Sequence, residues 1–315
     1  MKLCLSIEIQ ESMSYTDTLE MTRAGEALGF DAALLAEHYY PSGPMELYTQ
    51  EPDSADAWMY LAALARETTT IRLGTLVSPV TFRHPVVLAK MAATLDQLTN
   101  GRAELGIGAG WLEREHHAFG FDFAQPALRV DLVEEQLQVI TGLWSREGSF
   151  SHRGERYTLT DARFTPGPIQ QPRPTIIVGG RRTSKRLPRL AARYADEFVV
   201  GQPTPESARQ MRARLDVACV ANGRDPAAVR LSAFVPMCVG PSQADVERHL
   251  QTYRQTNPQY VGMMEDLSTW LLGTPDQVQS QLDALAASGI DRVMISVNCD
   301  LHRDMLSLLP NVVTD

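Results

Sequence analysis

Apolar residues along this chain fall into two alternating rhythms. Short runs with little internal polar alternation occupy residues 3–9, 32–36, 71–77, 103–107, 175–178, 197–200, 230–239 and 292–297. Between them lie longer segments whose apolar positions recur every three or four residues: 15–28, 56–66, 86–98, 129–144, 184–195, 205–221, 243–254 and 275–287. The first kind predicts strands buried on both faces, the second predicts helices with one apolar stripe. In 15–28, for example, Leu19, Ala24, Ala27 and Leu28 share a face. Eight strand-then-helix units of this kind predict an α/β fold, closed as a (β/α)8 TIM barrel rather than left as an open sheet. Residues 150–174 are rich in Pro, Gly and Arg and lose all period. They read as an insertion with a small hairpin after the fourth strand and helix, within one barrel domain spanning 1–315.

A barrel of this kind carries its chemistry at the C-terminal ends of the strands. Reactive side chains do cluster there: Glu37 and His38 after the second strand, Ser78 and His84 after the third, Trp111 and Glu115 after the fourth, and Arg181 to Lys185 after the fifth. The fourth strand runs into GRAELGIGAGWLEREHHAFG at 101–120, where Gly108-Ala109-Gly110 lets a ligand approach the backbone, since glycine has no Cβ. After the fifth strand, Gly179-Gly180-Arg181-Arg182-Thr183-Ser184-Lys185-Arg186 places two glycines, hydroxyls and cations before a helix. Free backbone N–H groups and a helix N-terminus favour an anion, and basic residues there need one, so this segment predicts a phosphate site. It is neither a P-loop nor a GxGxxG turn.

Composition narrows the chemistry further. A net charge of −9 opposes sequence-independent binding to nucleic acid. No apolar run is long enough to cross a membrane, and the first nine residues lack a basic start and a cleavage site, so a cytoplasmic protein is expected. Cys4, Cys219, Cys238 and Cys299 are far apart and form no CxxC pair, which predicts buried free thiols. His116 and His117 are adjacent and point to different sides, so no metal-chelating pair is expected. A metal-dependent barrel hydrolase is thereby disfavoured, and His38, Glu115 and the anion segment disfavour a barrel that merely binds a ligand.

Four segments together resemble the luciferase-like monooxygenase superfamily of flavin and deazaflavin enzymes. They are GFDAALLAEHYY at 29–40, IRLGTLVSPVTFRHPVVLAKMAATLDQLTNGRAELGIGAGWLEREHHAFG at 71–120, PTIIVGGRRTSKRLPRLAARYADEF at 174–198 and GTPDQVQSQLDALAASGIDRVMI at 273–295. RHPVVLAKMAATLD, GAGW and RLAARYAD are more similar to the branch using the deazaflavin coenzyme F420 than to the FMN-dependent luciferases. The Glu37-His38 pair is common in the FMN branch. Trp111 stands where some deazaflavin members carry an acid, which argues against a protonation role at that position.

The resemblance implies a non-prolyl cis bond at Leu76-Val77 behind the cofactor ring, with His38 as the active-site histidine and Ala109 in contact with the cofactor. Gly179, Gly180, Arg181 and Ser184 match its phosphate loop. Glu115 matches a motif acid that either acts in catalysis or holds its loop. It implies hydride transfer between reduced F420 and an enone, imine, ketone or alcohol, with His38 moving the proton; the alternative is an FMN-dependent monooxygenase using O2. A homodimer is expected from the resemblance. The loop 39–53 offers Tyr39, Tyr40, Met45 and Tyr48 as pocket walls, with Met263, Met264 and Trp270 on the opposite side.

Overall fold

The computed structural model describes residues 1–48, 50–145, 148–264, 266–298 and 300–309. Its strands are β1 (Lys2–Ile7), β2 (Ala32–Leu35), β3 (Arg72–Thr75), β4 (Ser78–Pro79), β5 (Ala103–Gly108), β6 (Phe150–Arg153), β7 (Thr158–Ala162), β8 (Thr175–Gly180), β9 (Glu197–Gly201), β10 (Arg230–Val239), β11 (Leu271–Gly273) and β12 (Arg292–Val297). Parallel pairing runs β1-β2-β3-β5-β8-β9-β10-β12, and β12 returns to β1 with Leu5 opposite Ile295. The ring therefore closes as a (β/α)8 barrel. In that ring β8 lies diametrically opposite β1.

The helices are α1 (Tyr15–Ala27), α2 (Ala57–Glu67), α3 (Pro85–Leu98), α4 (Glu113–Phe119), α5 (Pro126–Trp144), α6 (Leu187–Tyr194), α7 (Pro205–Ala221), α8 (Gln243–Thr256), α9 (Pro275–Ala287) and α10 (Asp300–Leu306). Local chemistry sets their starts. Proline opens α3, α5, α7 and α9, where its missing N–H costs nothing. Ser14 with Asp17 and Thr204 with Ser207 form reciprocal caps on α1 and α7. Leu61, Leu64, Leu88, Leu137, Ile140 and Leu215 are fully or almost fully buried between helices and barrel. The antiparallel pair β6–β7 stands apart from the barrel, inside the segment read as an insertion.

Among the expected boundaries that shift, three bear on the site. The first strand ends at Ile7, because the Ile9 N–H turns back to the Ile7 carbonyl at 3.1 Å. The third stops at Thr75; the Leu76-Val77 peptide is cis, and the chain resumes as β4 with Ser78 opposite Ile107. The helix expected from Ser184 begins only at Leu187, so residues 181–186 form a turn. The N-terminal end of the barrel holds a charge cluster that the apolar pattern concealed. Fully buried Arg292 meets Asp31 at 2.9 Å, Glu104 at 3.1 Å and Glu197 at 2.9 Å, while Arg230 reaches Glu197 at 2.8 Å. Cys4 and Cys219 are buried and free, and Cys238 is buried; Cys299 lies outside the described residues.

Candidate active site

Residues beyond the ends of β2 and β5 meet at His38. Three residues past β2, its Nδ1 lies 3.1 and 3.3 Å from the two carboxylate oxygens of Glu115, in the first turn of α4. A carboxylate only accepts, so Nδ1 carries the hydrogen and Nε2 is the nitrogen left for a reactant. Glu115 is itself fully buried and also accepts the Tyr39 N–H at 2.7 Å. Burial disfavours the imidazolium, but the hydrogen bond and charge of Glu115, with the charges of Glu8 and Glu37, outweigh it and hold the His38 pKa above its ordinary value. The ring of Trp111, half exposed, stands edge-on to His38 with centroids 5.6 Å apart.

Glu37, next to His38, turns the other way. It is buried, pairs with Arg83, accepts the Ser78 hydroxyl and takes the Trp58 indole N–H at 3.2 Å. Burial pushes its carboxyl pKa up despite Arg83. Arg83 also donates to the Tyr39 hydroxyl at 2.8 Å, and Tyr39 donates to Asp56 at 2.9 Å. This network fixes the chain on either side of His38. Neither Arg83 nor Asp56 stood out in the sequence: Arg83 directly precedes the candidate His84, and Asp56 read only as the start of a helix.

The glycines of β5 and β8 serve a purpose that the sequence reading missed. A Cβ at Gly108 would come within 2.6 Å of Val77 Cγ2, one at Gly179 within 3.0 Å of Val77 Cγ1, and one at Gly106 within 2.0 Å of the Thr75 carbonyl. The bulge after β3 lays Val77 across both strands, and glycine is required to receive it. Val77 thus forms an apolar shelf at the barrel mouth. Beside it Ala109 is partly buried, and its carbonyl accepts from Arg129 Nε at 3.1 Å.

The turn after β8 brings Gly179, Gly180, Arg181 and Ser184 to the same mouth. Ser184 Oγ accepts the Leu187 N–H at 3.3 Å. Arg181 and Lys185 are exposed and have no carboxylate partner among the described residues; Arg186 is drawn away by Asp131. At the end of β9, a Cβ on Gly201 would meet nothing within 4 Å. Open space beside these cations suits an anionic group.

Other candidates have structural work. His84 caps α3 through Nδ1, and His117 is exposed. Fully buried His116 donates from Nδ1 to the Leu112 carbonyl at 2.8 Å and accepts the Thr81 hydroxyl at Nε2. Tyr39 stacks on Phe82 at 5.2 Å, and Tyr48 donates to Glu11 at 2.8 Å. Tyr40 lies under the Arg114 guanidinium, and Met45 opens a short 3-10 turn. Met264 and Trp270 are buried in the core; the side chain of Met263 lies outside the described residues.

Among the described residues no group of His, Cys, Asp and Glu could hold a metal, and no helix is long and apolar enough to cross a membrane.

Comparison with known proteins gives a consistent outline. The sequence profile described as luciferase-like monooxygenase matches residues 3–292. An FMNH(2)-dependent dimethylsulfone monooxygenase of Pseudomonas fluorescens is 26% identical over 310 residues, covering 87% of this chain and 80% of that protein. A phthiodiolone/phenolphthiodiolone dimycocerosates ketoreductase of Mycobacterium tuberculosis is 32% identical over 247 residues, covering 73% of this chain and 62% of that protein. Among solved structures, an F420-dependent secondary alcohol dehydrogenase in complex with an F420-acetone adduct superposes with a TM-score of 0.84 at 18% identity, over 99% of both chains. At that identity the superposition establishes the fold.

Proposed function

This chain belongs to the luciferase-like monooxygenase family, and from that premise we propose that it is an F420-dependent oxidoreductase, transferring a hydride between the reduced deazaflavin and a small enone, imine or ketone/alcohol substrate. The observation that carries the reading is the His38–Glu115 pair. A histidine held above its ordinary pKa keeps its proton to higher pH than a free imidazole does, and its Nε2 is the nitrogen free to give a proton to an oxygen or nitrogen that has gained negative charge. Reduction of a C=O or C=N bond calls for that proton. The 32% identical relative, named a ketoreductase, supports the same reading.

The residues at the mouth fit such a cofactor. Leu76 and Val77 would back its ring, Ala109 would line its edge, and Gly179, Gly180, Arg181 and Ser184 would hold its phosphate, with room at Gly201. When bound, reduced F420 supplies the hydride; the protein supplies position and a proton. Glu115 is a positioning residue in this scheme, since it is buried behind His38 and acts through it.

A second reading, an FMN-dependent monooxygenase, is favoured by the 26% identical dimethylsulfone enzyme and by Trp111 in place of an acid. Oxygen separates the two. Under anaerobic conditions, oxidation of reduced F420 on adding a ketone or imine panel, with at least a roughly tenfold loss in His38→Ala, is expected. Turnover that occurs only with reduced FMN and oxygen overturns the first reading in favour of the second.

A further inference from the structure

Charge is segregated across the barrel mouth. Arg181 and Lys185 stand beyond β8, while β1, directly opposite, runs into Glu8, Gln10 and Glu11. Glu8 receives the Ser6 hydroxyl at 3.2 Å and the Gln10 amide at 2.8 Å, and has no Lys or Arg partner among the described residues. Glu11 accepts the Ser42 N–H at 3.0 Å, the Tyr48 hydroxyl at 2.8 Å and the Tyr260 hydroxyl. Arg114, close by, is committed to the carbonyls of Gly43 at 2.6 Å and Ser42 at 3.2 Å.

Two buried amides sharpen the imbalance. Gln10 is fully buried; its Nε2 bridges Glu8 and, at 3.1 Å, Ser42, so its Oε1 lies within the same cluster, yet no donor reaches it. On the adjoining strand β12, the chain continues into buried Asn298, whose Nδ2 donates to the Tyr253 hydroxyl at 3.1 Å while its Oδ1 also lacks a donor. The Glu8 N–H bonds the Val297 carbonyl at 3.0 Å, so the two segments are neighbours. Acceptors exceed donors here, and a part-buried carboxylate with no Lys or Arg partner is costly: burial holds the Glu8 carboxyl above its ordinary pKa.

We propose that the β1–β12 side of the mouth binds a cationic nitrogen of the substrate, an ammonium or iminium group, with Glu8 as counter-ion and the Gln10 and Asn298 carbonyls as N–H acceptors. The assignment rests on the cofactor reading only in that the anionic tail takes the β8 side and leaves this one to substrate. It narrows the substrate class from carbonyl compounds in general to the imine and amine side. Glu8 follows Ile7, which pairs with Leu35 of β2 three residues before His38, so the bound nitrogen and the imidazole share one side of the mouth; a cationic iminium takes the hydride to a neutral amine and draws no proton from His38.

The test uses three probes of one shape and different charge: benzylammonium, benzyl alcohol and benzoate, titrated at about pH 7 by ligand-observed NMR. With the wild-type protein, benzylammonium binds about tenfold or more tightly than benzyl alcohol, and benzoate most weakly. In Glu8→Gln the preference for the cation falls to about threefold or less. Equal binding of the three by the wild type overturns the proposal, and that comparison needs no variant. So does a cation preference that survives in a folded Glu8→Gln. F420 and FMN titrations of the same sample keep the failures apart: a protein that binds a cofactor but shows no charge preference refutes only this site, whereas a cation preference without cofactor binding refutes only the cofactor reading.

Discussion

Replacing Glu115 by glutamine removes one charge and almost no volume, so it isolates what the carboxylate does to His38. At 3.1 Å and an effective dielectric constant of about 20, Coulomb's law gives about 5 kcal/mol for the pair as a ceiling. Hydrogen bonds to charged groups retain about 1.5–3 kcal/mol after desolvation, and this one favours the protonated ring of His38. The NH2 group of the introduced glutamine then faces one of the two donors, the Tyr39 N–H or His38 Nδ1–H, that separate carboxylate oxygens accept, costing about 1–3 kcal/mol of stability. The assay is an NMR pH titration of the His38 ring in both proteins, with kcat and KM measured alongside. The expected result is a His38 midpoint displaced to lower pH, a kcat reduced about tenfold or more near neutrality, and KM little changed. An unchanged midpoint in folded Glu115→Gln would refute the claim that Glu115 sets the charge of His38.

The same pair makes stability depend on pH. Because the folded His38 pKa is raised above its ordinary value of 6.5, its contribution is complete below that value and lost as pH rises through the folded value; thermal melts of wild type should show this loss and Glu115→Gln much less of it. Buried His302 behaves oppositely: burial depresses it to about 4, so its penalty grows as pH falls from 6.5 towards 4, by about 3 kcal/mol, and His302→Asn should flatten the acid limb. Gly108→Ala forces a Cβ to within 2.6 Å of Val77 and should cost about 1–3 kcal/mol in chemical denaturation, with Val77→Ala in the same chain restoring at least half of it. Arg292→Met strands buried carboxylates and should cost about 3–5 kcal/mol; a loss below about 1 kcal/mol would show the cluster to be energetically idle.

The barrel was legible because eight unalternating runs have few other ways to be buried, and because proline and capping residues mark the helix starts. The rim positions of His38 and Glu115 followed from strand ends alone. Their contact, across 77 positions in sequence, did not, since it depends on where α4 folds back over β2. Glu8 stayed hidden because the first apolar run continues through Ile9, so a residue past the end of β1 looked like strand interior. Gly108 suggested close approach of a ligand and Gly179 a phosphate site, while the neighbour of both turned out to be Val77, placed there by a backbone bulge with no period of its own. The Arg292 cluster is invisible to hydropathy, because its members are single polar residues at the starts of otherwise apolar strands and pair only when the barrel closes.

Cofactor identity governs everything downstream of the fold, and a fluorescence titration with oxidised F420 and with FMN decides it, run on wild type, Arg181→Ala and Ser184→Ala. The expected result is micromolar or tighter binding of F420, at least a roughly tenfold preference over FMN, and about tenfold weakening in Arg181→Ala that shrinks at high salt. Preference for FMN, or F420 binding indifferent to both variants, would contradict the assignment.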